Sequence, residues 1–219
     1  MKVVIFDVDG TLVDSQSLIV RSMNAGMTHA GLPELPRDKI LSIVGLSLAI
    51  AVAELVPGAS PEQQAAVVDG YRGAFHEARL QETAPLYPGA EEALRVLAAR
   101  DDLLLAIATG KARRGLNAMI EAHGWQKLFF STQTADDHPS KPHPSMIETI
   151  LSESGLDARD AVMIGDTSFD MEMARAAGVA GFGVGWGYHP DAALLDAGAR
   201  LIAPDYPALL QSLLEWADE

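Results

Sequence analysis

Apolar runs of strand length recur along the chain with longer mixed stretches between them: KVVIFDV from Lys2, LLLAIATG from Leu103, KLFFSTQT from Lys127, AVMIGD from Ala161 and VAGFGVG from Val179. Near-continuous apolarity, rather than alternation, suits strands covered on both faces, and strands separated by helices pair in parallel through right-handed crossovers. The pattern predicts a doubly wound α/β core. Helical patterns with their own punctuation fill the gaps. One starts at Pro88, and three others close at Gly124, Gly155 and Gly178, where a left-handed C-cap falls.

Residues 15–85 break the alternation. They offer LIVRSMNAGMTHAG, DKILSIVG, SLAIAVAELVPG and SPEQQAAVVDGYRGAFHEARL, all helix-like, and no convincing strand. In the last of these, Ser60 is an N-cap, Pro61 takes the first helical position and Gln63 completes a capping box. The expected organisation is therefore a core of residues 1–14 and 86–219 with an inserted all-helical cap at 15–85. An insert leaving the C-terminal end of the first strand sits over the region where open α/β sheets bind ligands. The alternative is that these helices merely pad one face of the sheet.

Composition narrows the partners. The 219 residues include 16 basic and 30 acidic ones, a formal net charge of -14. Such a surface repels nucleic acid and anionic lipid, so neither is an expected partner. It also repels a phosphorylated substrate, so a site for one must supply local positive charge. There is no cysteine, hence no disulfide and no thiolate metal site. No apolar run reaches the ~20 residues that span a bilayer, and no secretory leader pattern precedes the first strand. The expectation is a cytoplasmic protein. Trp125, Trp186 and Trp216 are either core or interface, which leaves a homodimer open.

Polar residues cluster where the predicted strands end. The first run delivers Asp7 and Asp9, two apart and so on one side of an extended backbone, followed by Gly10, which lets backbone N–H groups approach an anion, and the hydroxyl of Thr11. The second ends in Thr109 and Gly110 before a helix start. Lys141 follows the third, and Asp166 and Asp170 flank a helix start after the fourth. Singly, each is an ordinary cap or turn residue. Jointly, they put several acids, hydroxyls and one ammonium on the same sheet edge. Two carboxylates about 4 Å apart repel by roughly 4 kcal/mol at an effective dielectric of about 20, which calls for neutralisation. Mg²⁺ is usually held by one or two carboxylates plus substrate phosphate. A carboxylate can also attack phosphorus, giving an aspartyl-phosphate.

In this order the motifs resemble those of the haloacid dehalogenase superfamily of phosphohydrolases, over essentially the whole chain. DVDGTLVDS is similar to its first motif, Thr109 in ATGK to its second, Lys141 in SKPHPS to its third and GDTSFDM to its fourth. The resemblance implies a Rossmann-like core in which Asp7 is the nucleophile and Asp9 the general acid and base. It implies Mg²⁺ on Asp7, the Asp9 backbone carbonyl and Asp166, with Asp170 supporting. Gly10, Thr11, Thr109, Gly110 and Lys141 would bind the phosphoryl group. The insert resembles the cap of the phosphoglycolate phosphatase-like and beta-phosphoglucomutase-like branch, so the expected partner is a small phosphorylated metabolite. An acid at Asp9 argues against carbon–halogen and carbon–phosphorus cleavage. Phosphonate-cleaving relatives also use a cap lysine, and the insert has only Lys39.

Two other readings stay in play: a phosphomutase, which shares all four motifs, and a receiver-type phosphoacceptor module, which is shorter and lacks the insert. The glycines at 181, 183, 185 and 187 read as close packing at the sheet edge, not as a dinucleotide fingerprint, because they do not open a helix after the first strand. His138 and His143 read as turn or surface residues, and Met163, Met171 and Met173 as core. Lys111, Arg113 and Arg114 either extend the anion site or face solvent. Arg21, the loop Gly45 to Ser47, Tyr71, Arg72 and His76 are candidates to touch the leaving group.

Overall fold

The computed structural model describes residues 1–81 and 83–219. Six parallel strands, β1 (Lys2–Phe6), β2 (Leu103–Thr109), β3 (Ser131–Thr134), β4 (Ala161–Gly165), β5 (Ala180–Val184) and β6 (Leu201–Ala203), form one sheet in the order β3-β2-β1-β4-β5-β6. The sequence pattern missed β6, because its apolar run of three is too short to stand out from the helices beside it. The third predicted strand is also shorter than its apolar run, starting at Ser131 rather than Lys127.

Burial on both faces explains the near-continuous apolarity. In β1, Val4 and Phe6 face one layer, where they join Leu94, Leu97, Leu116, Leu209, Leu213 and Trp216, from helices α5 (Ala90–Ala98), α6 (Arg113–Ala122) and α10 (Tyr206–Asp218). Val3 and Ile5 face the other layer, with Met146, Ile147 and Ile150 of α7 (Ser145–Ser154) and Met173 of α8 (Ser168–Ala176). A ninth helix, α9 (Asp191–Ala197), covers β5 and β6 through Leu194. Gly124, Gly155 and Gly178 take positive φ just after α6, α7 and α8, as their positions predict.

The chain builds the sheet outward from β1 to β3, then restarts at β4 on the other side of β1. The reversal between β1 and β4 is where open α/β sheets leave a crevice beyond the strand ends. Residues between β1 and α5 form helices α1 (Gln16–His29), α2 (Arg37–Leu41), α3 (Leu48–Leu55) and α4 (Pro61–Gln81). They bury a cluster of their own, with Ile19, Met23, Met27, Ile40, Val52, Leu55 and Val67. The predicted capping box at α4 is present: Gln63 N donates to Ser60 Oγ, and Ser60 N donates to Gln63 Oε1. The two chain passages between this segment and the sheet run antiparallel. Asp14 N donates to Pro85 O at 2.9 Å and Tyr87 N to Leu12 O at 3.0 Å.

Candidate active site

Asp7 is the first residue past β1, and its N–H is fixed by Ile164 O of β4 at 2.9 Å. Asp166 is the first residue past β4, so the strand pairing itself sets these two side chains next to each other. Asp170 comes from the first turn of α8. There it forms a capping box with Thr167, accepting from Thr167 N at 3.1 Å and Thr167 Oγ1 at 2.7 Å through Oδ2. Oxygens of Asp7, Asp166 and Asp170 lie within 4.8 Å of one another. Lys141, from the loop after β3, reaches into the same place. Its Nζ is 2.8 Å from Asp7 Oδ1 and 2.6 Å from Asp170 Oδ1. All four side chains are buried.

Crowding acids out of water shifts their titration. Burial, with Asp170 and Asp9 nearby, pushes Asp7 up to about 6 against the pull of Lys141. Burial and the charges of Asp7 and Asp170 hold Asp166 well above the carboxylate range, although Tyr188 N and Thr11 Oγ1 donate to it at 2.9 Å each. For Lys141, burial disfavours the ammonium, but Asp170 and Asp7 outweigh it and keep the group charged. Asp7 Oδ1 is buried and receives no hydrogen bond, since the Lys141 ammonium is close but poorly aligned.

That orphaned oxygen, together with the donor set, tests the fit of a cation. Three carboxylates against one ammonium leave two formal negative charges, which a divalent ion cancels, and an all-oxygen set suits a hard ion such as Mg²⁺. The residues fit. Asp7, Asp166 and Asp170 could hold it.

Asp9 points elsewhere. Both of its oxygens accept from Lys111 Nζ, at 2.8 and 2.7 Å, and Oδ1 also accepts from Ser15 Oγ at 2.6 Å. Ser15 Oγ is in turn 3.0 Å from Tyr188 Oη. The Asp9 carboxylate therefore lies apart from the acid cluster, held by Lys111 and Ser15, and its expected metal contact, through the backbone carbonyl, does not involve these oxygens. Asp7 and Asp9 still line one cavity of about 540 Å³ between the sheet edge and α1–α4. Thr109, Gly110 and Lys111 line it from the sheet side.

Other expectations divide. Thr11, expected to face a phosphoryl group, is buried and donates its hydroxyl to Asp166 instead. Gly10 turns at φ 87°, and a Cβ there would lie 2.2 Å from Asp166 Oδ2, so only glycine fits. From the insert, Gly45 to Ser47, Tyr71, Arg72 and His76 reach the cavity, whereas Arg21 is not among its lining residues. His138 is bound by Ser145 and Gln133, outside the acid cluster. Arg113 holds Asp137 and the Thr132 carbonyl, so it does not extend an anion site. The glycine run does more than pack. Gly187 lets the loop after β5 lie against Asp166, where the next N–H, that of Tyr188, donates. Ser15 and Tyr188 went unnoticed because their pairing spans 173 residues and no local spacing encodes it. Trp125 and Trp216 belong to the core, and Trp186 donates to Thr11 O at 3.1 Å.

Comparisons with known proteins give the family. Residues 4–184 match the family model described as haloacid dehalogenase-like hydrolase. The chain is 36% identical over 207 residues to the probable phosphatase IndB of Dickeya dadantii, covering 93% of this chain and 89% of that protein. It is 34% identical over 207 residues to the phosphoglycolate phosphatase of Chromobacterium violaceum, covering 90% of each. Among solved structures, that of a predicted phosphatase from Clostridium acetobutylicum matches with a TM-score of 0.87 at 25% identity, covering 98% of both chains. With most of its length matched by the family model and acids from β1 and β4 meeting at the reversal of the sheet, the chain belongs to the haloacid dehalogenase-like hydrolases.

Proposed function

We propose that this protein is a Mg²⁺-dependent phosphatase that hydrolyses a small phosphorylated metabolite through an aspartyl-phosphate at Asp7. The observation that carries it is the buried set Asp7, Asp166, Asp170 and Lys141, whose Asp7 lines a cavity roofed by α1, α3, α4 and the loop before α3, part of the insert that we read as a cap. The names of the relatives point to the same chemistry.

In the first half-reaction an Asp7 oxygen forms a bond to phosphorus while the ester oxygen leaves, taking a proton from Asp9. In the second, Asp9 takes a proton from water, the water oxygen bonds to phosphorus, and the bond to Asp7 breaks to release inorganic phosphate. Lys141 and the Thr109 hydroxyl balance charge on the phosphoryl oxygens, with the Gly110 N–H beside them. A bound Mg²⁺ supplies further positive charge to the transferring group and permits Asp7 and Asp166 to ionise together. The cap excludes bulk water. Its loop lies on the sheet edge, with Ser47 N donating to Ser140 Oγ at 2.8 Å and Gly45 and Leu46 against Gly110.

Phosphate release from a panel of phosphorylated sugars and acids, with Mg²⁺ and with EDTA, tests the proposal. Sustained Mg²⁺-dependent release that disappears in Asp7→Asn, with an unchanged circular dichroism spectrum, is expected. Transfer within one sugar without net release would instead mark a mutase, and a lasting stoichiometric phosphoprotein a receiver.

A further inference from the structure

Cationic side chains gather at one part of the cavity without acidic partners among the described residues. On α4, Tyr71, Arg72, Phe75, His76 and Arg79 follow helical spacing and all line it. Arg79 Nη2 is 3.4 Å from His76 Nδ1. Across from α4, Arg114 of α6 sets its Nη2 3.4 and 3.3 Å from Nδ1 and Nε2 of the same ring, and Arg79 Nη1 donates to the Arg114 carbonyl at 3.5 Å. Two guanidiniums thus converge on one imidazole, and neither makes an ion pair among the described residues. Of the other charges facing the cavity, Lys111 pairs with Asp9 and Asp7 with Lys141, Asp136 accepts from the backbone Arg113 N at 2.8 Å, and Arg72, like the two arginines, makes no ion pair among the described residues. Leaving like charges together in a chain of net charge -14 with acids to spare is unfavourable unless an anion comes between them.

We infer that the leaving group of the substrate carries a second anionic group, a carboxylate or another phosphate, which binds between Arg79 and Arg114 beside His76. The planar guanidinium forks suit either anion. Because Arg79 belongs to the insert and Arg114 to the sheet core, the same anion ties the two together, so its binding energy favours the closed arrangement in which Asp7 is shielded. The inference rests on the phosphatase reading and adds the class of the leaving group.

Three esters separate the possibilities: glycerol 3-phosphate, whose leaving group is neutral, 3-phosphoglycerate, which adds a carboxylate, and glycerol 1,3-bisphosphate, which adds a phosphate and no carboxylate. In wild type, kcat/KM for at least one anionic ester exceeds that for the neutral one by about tenfold or more. Which one it is names the anion. The ratio falls toward one in Arg79→Ala and Arg114→Ala, and Arg114→Lys keeps part of it. A wild-type ratio near one, or a ratio unmoved in both alanine variants, overturns the inference. Calorimetric titration of the same esters into Asp7→Asn and Asp7→Asn/Arg114→Ala with Mg²⁺ reads the anion site without turnover. Failure of every ester to release phosphate therefore defeats the phosphatase reading and leaves this site to be judged on binding.

Discussion

At Lys141 an ammonium shielded from solvent faces Asp7 at 2.8 Å and Asp170 at 2.6 Å. Removing one partner of a buried ionic set leaves the other charges uncompensated, at a cost of about 3–5 kcal/mol. Lys141→Ala should lower the stability of the metal-free protein by that order, read from urea denaturation in EDTA at pH 7.5. Asp9 illustrates a different dependence, because its oxygens are occupied by Lys111 and Ser15 rather than by the acid cluster. Asp9→Asn keeps the shape but cannot carry a proton, so kcat should fall by about a hundredfold or more. With an activated ester such as p-nitrophenyl phosphate, whose leaving group needs no proton, a burst followed by slow turnover is the expected trace. Asp7, Asp166 and Asp170 were legible from the sequence because each directly follows an apolar run or opens a helix, and Lys141 because it lies in SKPHPS between the third strand and the next helix. Lys111, Ser15 and Tyr188 were not, since their roles depend on which distant side chain they meet.

Among the elements, the loop between α2 and α3 and the end of β2 decide how closely the insert sits on the sheet. A Cβ at Gly110 would lie 2.3 Å from Gly45 O and 2.8 Å from Leu46 O. Gly110→Ala should push that loop off the strand end. A displacement of about 1 Å near the chemistry can cost about a hundredfold, so kcat/KM should drop by about that much. The urea midpoint should change little, because the sheet's own cores lie elsewhere; a large fall in midpoint with kcat/KM intact would contradict this. The four insert helices and the caps at Ser60, Gly124, Gly155 and Gly178 were readable from spacing and punctuation. Strand β6 and the contact of Gly45 with Gly110 were not, the first for want of length and the second because it joins residues that are remote in sequence.

For the molecule as a whole, the burial of Asp7 predicts a pH dependence with an unusual sign. Its value in the fold is about 6, above the ordinary 3.8. The folded state therefore prefers the neutral form, and this contribution is fully present below pH 3.8 and lost as pH rises through about 6. In EDTA, Asp7→Asn should accordingly have a higher Tm than wild type at pH 7.5, with the difference shrinking by pH 5. Mg²⁺ competes with protons for the same oxygens, so it should raise the wild-type Tm more at pH 7.5 than at pH 5. A Mg²⁺ effect independent of pH would place the ion away from Asp7. The parallel strands, the helical insert and the side of the sheet bearing the chemistry were set by the sequence alone, because apolar periodicity, caps and strand-end acids are local signals. Which acids lie together, which one Lys111 pairs with and which arginines meet across the cavity were decided only when β4 paired with β1 and the insert settled on the sheet. Those contacts join distant residues, and their energies depend on burial and distance, which no spacing along the chain records.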